Sequence, residues 1–279
     1  MTSPPVKDTL AAHRLAPSKR LGQNFLVHPH IAEQIVATAE IGPEDTVIEL
    51  GVGLGALTLP LARQAGRVIG LEIDAGLVRY HQETGDLPAN VTLIHQDLLT
   101  ADFAALAGEA GGEVKIIANL PYSVTNPLLF KLIEQRQAMS WAVLMIQKEV
   151  ALRLTAAPGS KEYGVLTVLL GGCATVERLL TVGPGNFHPR PKVDSMVVRL
   201  DFRRPPEKMG PEIFPRLRLL VDAAFRQRRK TLLNSLSGAH LPGLDKEKIG
   251  QLLAAAGIDP RQRAEELTTA DYLRLAGLA

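Results

Sequence analysis

Apolar residues recur along this chain in two rhythms. Short runs at Thr46–Leu50, Arg67–Leu71, Val91–Ile94, Val114–Ala118 and Ala142–Ile146 read as strands, Val114–Ala118 as a buried one. Stretches of helical spacing lie between them, among them Leu57–Ala65 and the segment around Lys148–Val150. Two more strand-like runs, Ala174–Val182 and Ser195–Phe202, bring the expected strands to seven. Strands alternating with helices predict an α/β fold, a doubly wound, Rossmann-like and mostly parallel sheet. Beyond Pro205-Pro206 the spacing is helical throughout, over Glu212–Leu236, Asp245–Ala256 and Thr269–Ala276. That predicts a small all-α C-terminal domain. The expected division is a flexible basic arm (1–18), a sheet domain (19–205) and a helical domain (206–279).

Charge changes this picture in two places. Basic side chains exceed acidic ones by only two overall, yet residues 203–230 hold nine Lys/Arg against three Asp/Glu. Residues 1–20 hold four against one. A near-neutral body with a basic tail and a basic segment is the distribution of a polyanion-binding surface. The single cysteine, Cys173, excludes an internal disulfide framework and reads as a buried structural thiol. His28-Pro29-His30 has a spacing that a metal could use, but no Cys or acid cluster accompanies it, so no metal is expected. No apolar run is long enough to span a bilayer, and the N-terminus lacks the apolar middle of a signal peptide. A cytoplasmic monomer without membrane attachment is expected.

Candidate chemistry gathers where the predicted strands end. The first runs into Gly51-Val-Gly-Leu-Gly-Ala56 and a helix, where bare backbone can approach a ligand at the helix N-terminus. The next ends in Glu72-Ile73-Asp74, and Glu72 has the spacing that places an acid on a ribose diol. Gly51, Gly53 and Ala56 also satisfy the dinucleotide fingerprint, which leaves NAD as an alternative. Three features favour S-adenosylmethionine. Glu49 stands where dinucleotide sites usually carry an apolar residue. The third strand leads to Gln96-Asp97-Leu98, an acid able to accept from an adenine amine. The fourth ends in Asn119-Leu120-Pro121-Tyr122, for which hydride transfer has no evident use.

In that last stretch Asn119 Oδ1 can accept from an exocyclic amine. Leu120, biased to an extended conformation by Pro121, can offer its carbonyl, and Tyr122 offers a stacking face with its hydroxyl left to water. Upstream, Lys19-Arg20 opens a strap whose Gly22-Gln23-Asn24 centre suits close backbone approach and polar contact. Downstream, the alternating prolines of Asn186–Ser195 make a stiff extended loop. Phe187, at its head, is expected to be presented rather than tucked under.

Seven motifs in order resemble those of the rRNA adenine N6,N6-dimethyltransferase family, from about Lys19 to the C-terminus. They are Gly22–Leu26, Glu49–Gly55, Glu72–Asp74, Gln96-Asp97, Asn119–Tyr122, Phe187–Ser195, and Arg228–Thr231 with Asn234–Leu236. Lys192-Val-Asp-Ser195 and Arg228-Arg-Lys-Thr231 look more like its small-subunit branch than its large-subunit, macrolide-resistance branch. The resemblance implies S-adenosylmethionine held by Asn24, Leu26, Gly51, Gly53, Glu72, Ile73, Asp97, Leu98 and Asn119. It implies a catalytic set of Asn119, Leu120, Pro121, Tyr122 and Phe187, with a flipped adenosine stacked between Tyr122 and Phe187. The implied products are N6,N6-dimethyladenosines at two adjacent positions in the 3'-terminal hairpin loop of 16S rRNA. The implied partner is the small ribosomal subunit, held by Arg226, Arg228, Arg229 and Lys230, with Lys19, Arg20 and Arg190 nearer the pocket. The family often has proline where this chain has Val52, but the flanking glycines remain. A protein acting chiefly in ribosome assembly, with methylation secondary, is the second reading.

Overall fold

A computed structural model describes residues 5–279. The chain forms two compact units, one from the chain up to Ala151 with Glu177–Asp201, the other from Leu152–Val176 with Phe202–Ala279. In chain order the helices and strands to the end of the central sheet are α1 (Val6–Ala12), β1 (Phe25–Leu26), α2 (Pro29–Ala37), β2 (Thr46–Leu50), α3 (Thr58–Ala62), β3 (Arg67–Glu72), α4 (Ala75–Thr84), β4 (Val91–His95), α5 (Phe103–Ala110), β5 (Val114–Asn119), α6 (Thr125–Glu134), β6 (Met139–Gln147), α7 (Lys148–Leu154), α8 (Val165–Gly171), β7 (Thr175–Val182), β8 (Phe187–His188) and β9 (Ser195–Asp201). Helices α9 (Phe214–Phe225), α10 (Leu232–Gly238), α11 (Lys246–Ala255) and α12 (Thr269–Leu278) follow.

The seven-stranded sheet has the order β4-β3-β2-β5-β6-β9-β7. β2 pairs in parallel with β3 and β5, β3 with β4, and β5 with β6, whereas β9 runs antiparallel to β6. The apolar runs form the central strands because both faces of a parallel sheet are covered by helices. β6 is buried from Met139 to Ile146 without a break. From β2 the chain winds outward through β3 and β4, then returns to β5 on the other side. That reversal opens a crevice at the carboxyl ends of β2 and β5, where open α/β sheets bind ligands.

Three expectations need correction. The N-terminal segment is not an arm over its described length. Val6–Ala12 is helical, and Leu10 packs with Phe25 and Leu77 in a small apolar cluster. Apolar Val6, Leu10 and Leu15 give the segment something to bury, which its polar composition concealed. The second unit takes in more than the residues after 205. Leu152–Val176 belong to it, with Val168, Leu169 and Leu170 buried and α8 packed on α9 and α12. Finally, the helix expected over Glu212–Leu236 breaks after Phe225, with a turn over residues 226–229 before the next helix. Arg226 and Lys230, like charges four apart, disfavour continuing it.

Candidate active site

The crevice holds a cavity of about 250 Å³ within the sheet unit. Its wall takes Gly51 and Gly53 from the loop after β2, Glu72 and Ile73 from the end of β3, and Asp97 and Leu98 from the loop after β4. Asn119, Leu120, Pro121 and Tyr122 close it from the end of β5, with Phe187 opposite and the strap Arg20–Phe25 alongside. Residues spread over more than 160 positions of sequence meet here because each follows the carboxyl end of a neighbouring strand or lies on a segment laid across those ends.

Glu72 is only 4% exposed, and both carboxylate oxygens are already engaged. Oε2 accepts from Gly53 N–H at 2.9 Å and Oε1 from Asp74 N–H at 2.8 Å. Each oxygen keeps a further lone pair for a diol. Burial raises the Glu72 pKa above the usual carboxylate value, and the backbone donors of Asp74, Gly53 and Ile73 pull against that shift. Gly51 and Gly53 have φ of +83° and +59°, conformations that L side chains rarely adopt. A Cβ on Gly51 would project into open space, whereas one on Gly53 would touch the Phe25 ring at 3.4 Å. Asp97 Oδ1 accepts from Leu99 N–H at 2.8 Å, which sets the orientation of its carboxylate. A buried carboxylate, a glycine cradle and a second acid on one wall are groups that fit the nucleoside end of S-adenosylmethionine.

Asn119 donates from Nδ2 to the Asn24 carbonyl at 3.1 Å. That bond leaves Oδ1 as the amide's remaining acceptor. Leu120 N–H is spent on Met145 O at 3.1 Å and its side chain is buried, so its carbonyl is what it can offer the cavity. Pro121, at φ −56° and ψ 135°, turns the chain into a short 3₁₀ turn that begins at Tyr122. The Tyr122 hydroxyl is not left to water as expected. It lies 3.2 Å from Ser195 Oγ, whose residue is buried at the start of β9. The bond anchors the hydroxyl end of the ring.

Two site expectations are corrected. Phe187 is buried, at 5% exposure, and forms part of the hydrophobic core as well as the cavity wall. The cause is β8, which pairs antiparallel with β1 so that Leu26 faces Phe187 and Phe25 faces His188. Leu26 is no part of the cavity wall. It packs in the same core cluster, while its neighbour Phe25 lines the cavity, as alternation along a strand requires. Of the basic residues expected to hold RNA, Arg20 lines the cavity, and Lys19 and Arg190 are exposed on the same unit. On the helical unit Arg226, Arg229 and Lys230 are exposed. Arg228 is instead held within that unit, donating to Lys161 O at 2.8 Å and facing Glu265 at 3.8 Å. Gln23, in the Gly22-Gln23-Asn24 stretch read as suited to polar contact, makes one. Its Nε2 donates to Asp74 Oδ2 at 2.9 Å and ties the strap to the end of β3.

Glu49 lies beneath this wall rather than on it. It is 1% exposed, and neither carboxyl oxygen has a hydrogen-bond partner among the described residues. Burial pushes its carboxyl up to about 8, with the nearby Thr58 hydroxyl opposing and the negative Glu72 adding to the shift. A folded-state pKa above the unfolded one means stability fully present below about 4.5 and lost as pH rises towards about 8. Glu49→Gln should therefore lower the melting temperature slightly at acid pH, where the buried amide still lacks partners, and raise it at alkaline pH. The gain should be on the order of 1–3 kcal/mol, below the full linkage value because a buried amide also lacks partners. Thermal unfolding at both ends of that range checks it, and a variant without the growing gain would contradict a neutral buried Glu49.

With this geometry in view, the comparisons are decisive. Residues 15–279 match the family model described as ribosomal RNA adenine dimethylase. The chain belongs to that family. A relative from Desulfotalea psychrophila named ribosomal RNA small subunit methyltransferase A is 50% identical over 275 residues, covering 95% of this chain and 92% of the relative. The crystal structure of a dimethyladenosine transferase from Plasmodium falciparum matches at TM-score 0.72 and 27% identity, over 90% of this chain and 95% of that one. The 23S rRNA methyltransferase ErmE matches at TM-score 0.62 and 26% identity, over 91% and 98%. The protein is therefore an rRNA adenine methyltransferase by family, and the dinucleotide alternative falls. No helix among the described residues is long and apolar enough to cross a membrane.

Proposed function

We propose that the protein transfers methyl groups from S-adenosylmethionine to the N6 amines of two adjacent adenosines in the 3'-terminal hairpin loop of small-subunit rRNA, giving N6,N6-dimethyladenosine. The Asn119 amide carries this reading, because its Nδ2 bond to Asn24 O leaves Oδ1 as an acceptor beside the cavity. Glu72 holds the ribose of the cofactor, Asp97 its adenine amine, and the Gly51–Gly53 backbone its close approach, with Ile73 and Leu98 giving apolar contact. When bound, the cofactor supplies a sulfonium methyl, an already activated group. The task left to the protein is positioning, worth up to roughly 7–11 kcal/mol. Asn119 Oδ1 and the Leu120 carbonyl accept from the target amine and draw its lone pair out of conjugation with the ring. Tyr122 stacks on the flipped base and Phe187 walls it. After transfer the amine proton goes to water.

The small subunit is the partner, met in the cytoplasm by a monomer. Arg226, Arg229 and Lys230 offer phosphate contacts on the helical unit, and Lys19, Arg20 and Arg190 offer them on the sheet unit. Replacing Arg226, Arg229 and Lys230 by Ala should weaken subunit binding and lower the slope of log K against log salt by about two to three. Filter binding at several salt concentrations measures this, and an unchanged slope removes these residues from the interface.

The deciding experiment is transfer of labelled methyl groups to small subunits lacking the modification, with large subunits in parallel, followed by nucleoside analysis. Dimethyladenosine in small-subunit RNA alone supports the proposal. Label in the large subunit would assign the resistance-type activity, and binding without label would favour an assembly role.

A further inference from the structure

His81 is buried at 3% exposure on α4, beneath the glycine-rich loop. Its ring is bonded at both ends. Nδ1 lies 2.7 Å from Asp86 Oδ1, and Nε2 lies 3.0 Å from the Gly53 carbonyl. The ring also packs under the next turn of the loop, since a Cβ on Gly55 would stand 3.6 Å from His81 Cε1. The Gly53 residue is thus held from two sides, its N–H by Glu72 and its carbonyl by His81. The groups facing the ring are Asp86, Tyr80 edge-on at 4.9 Å, and, through Gly53, Glu72. The Tyr80 hydroxyl also faces Asp86, and His13 of the N-terminal segment meets the other side of the Tyr80 ring at 4.7 Å.

A carbonyl can only accept, and so can an ionised carboxylate. A neutral imidazole has one N–H and satisfies one of the two, whereas a ring carrying both protons satisfies both. We propose that His81 is a positioning residue for the cofactor, a doubly donating brace between Asp86 and Gly53 that sets the glycine-rich loop. This rests on the reading that the loop binds S-adenosylmethionine. Its consequence has a definite sign. Losing either bond frees the Gly53 peptide on one side or lets the ring turn away from it, and cofactor affinity falls.

The test compares the full-length wild type with His81→Gln, His81→Leu and Asp86→Asn. Isothermal titration with S-adenosylmethionine is run on each at one fixed pH. Glutamine keeps one donor for the Gly53 carbonyl, so it should bind close to wild type. Leucine should bind about tenfold more weakly, the loss of one net hydrogen bond. Asp86→Asn should resemble leucine in part. Steady-state kinetics should show the change in KM for the cofactor, with kcat nearly unchanged. Independently of any ligand, nitrogen-15 imidazole spectra should show two protonated nitrogens on His81. A ring with one N–H, or a His81→Leu variant that binds as tightly as wild type, would overturn the brace alone. A wild type that fails to bind S-adenosylmethionine would overturn both the brace's role and the cofactor reading.

Discussion

Asn119→Ala should lower methyl transfer by about 10²–10³-fold, the usual cost of deleting one pre-aimed polar group at a reacting centre. The effect should fall mainly on the rate in single-turnover transfer to small subunits, with a smaller change in cofactor affinity. The physical reason lies in the hydrogen bond from Nδ2 to Asn24 O, which fixes which end of the amide remains to accept from a substrate amine. Asn119→Asp keeps an acceptor but places a carboxylate oxygen against the Asn24 carbonyl, so it should be impaired without matching alanine. Dimethylation sharpens the test. The monomethylated amine has lost one N–H and can satisfy only one of the two acceptors, so the second transfer should suffer more than the first. Monomethyladenosine should then accumulate in any partly active variant. An alanine variant with a near-normal rate would remove Asn119 from the chemistry.

Glu72→Ala should weaken S-adenosylmethionine binding by about a hundredfold, since hydrogen bonds to a charged acceptor are worth roughly 1.5–3 kcal/mol. In the proposed site the carboxylate would accept from the ribose, and it already holds the N–H groups of Gly53 and Asp74 at 2.9 and 2.8 Å. Alanine loses both, whereas glutamine keeps one carbonyl acceptor and should lose less. The fold should survive, because alanine also removes the desolvation that raises the Glu72 pKa. That raised pKa also predicts a pH effect. On acidification Glu72 takes up its proton earlier than an exposed glutamate, so wild-type affinity should begin to fall above the ordinary carboxylate range. Titration calorimetry with thermal unfolding in parallel separates the two effects. Unchanged affinity in a folded alanine variant would place the ribose elsewhere.

Both predictions concern residues that announced themselves along the chain. The strand runs, the glycine-rich turn, Glu72 at the end of β3 and the Asn119–Tyr122 stretch at the end of β5 are consecutive or nearly consecutive patterns, and the doubly wound winding places strand ends side by side. Phe187 and Leu26 went the other way. Nothing local to either says that β8 will pair with β1, and this pairing buries Phe187 and turns Leu26 into the core. Leu152–Val176 were likewise expected in the sheet domain. Their membership of the helical unit depends on the packing of α8 against α9 and α12, helices that lie some fifty to a hundred residues further along the chain. His81 had no local signal, because its partners are a carbonyl 28 residues earlier and an acid five residues later.

By itself, then, the order of apolar runs and the chemistry at their ends determined the winding of the sheet and the residues able to meet a nucleoside and an amine. Periodicity is a local property, and strand ends converge once the winding is set. The tertiary structure alone decided which end of the Asn119 amide is left as an acceptor, whether Phe187 protrudes or forms a wall, and what braces the Gly53 peptide. Those are orientations fixed by partners from distant segments, through hydrogen bonds and strand pairings that form only when the chain has closed on itself.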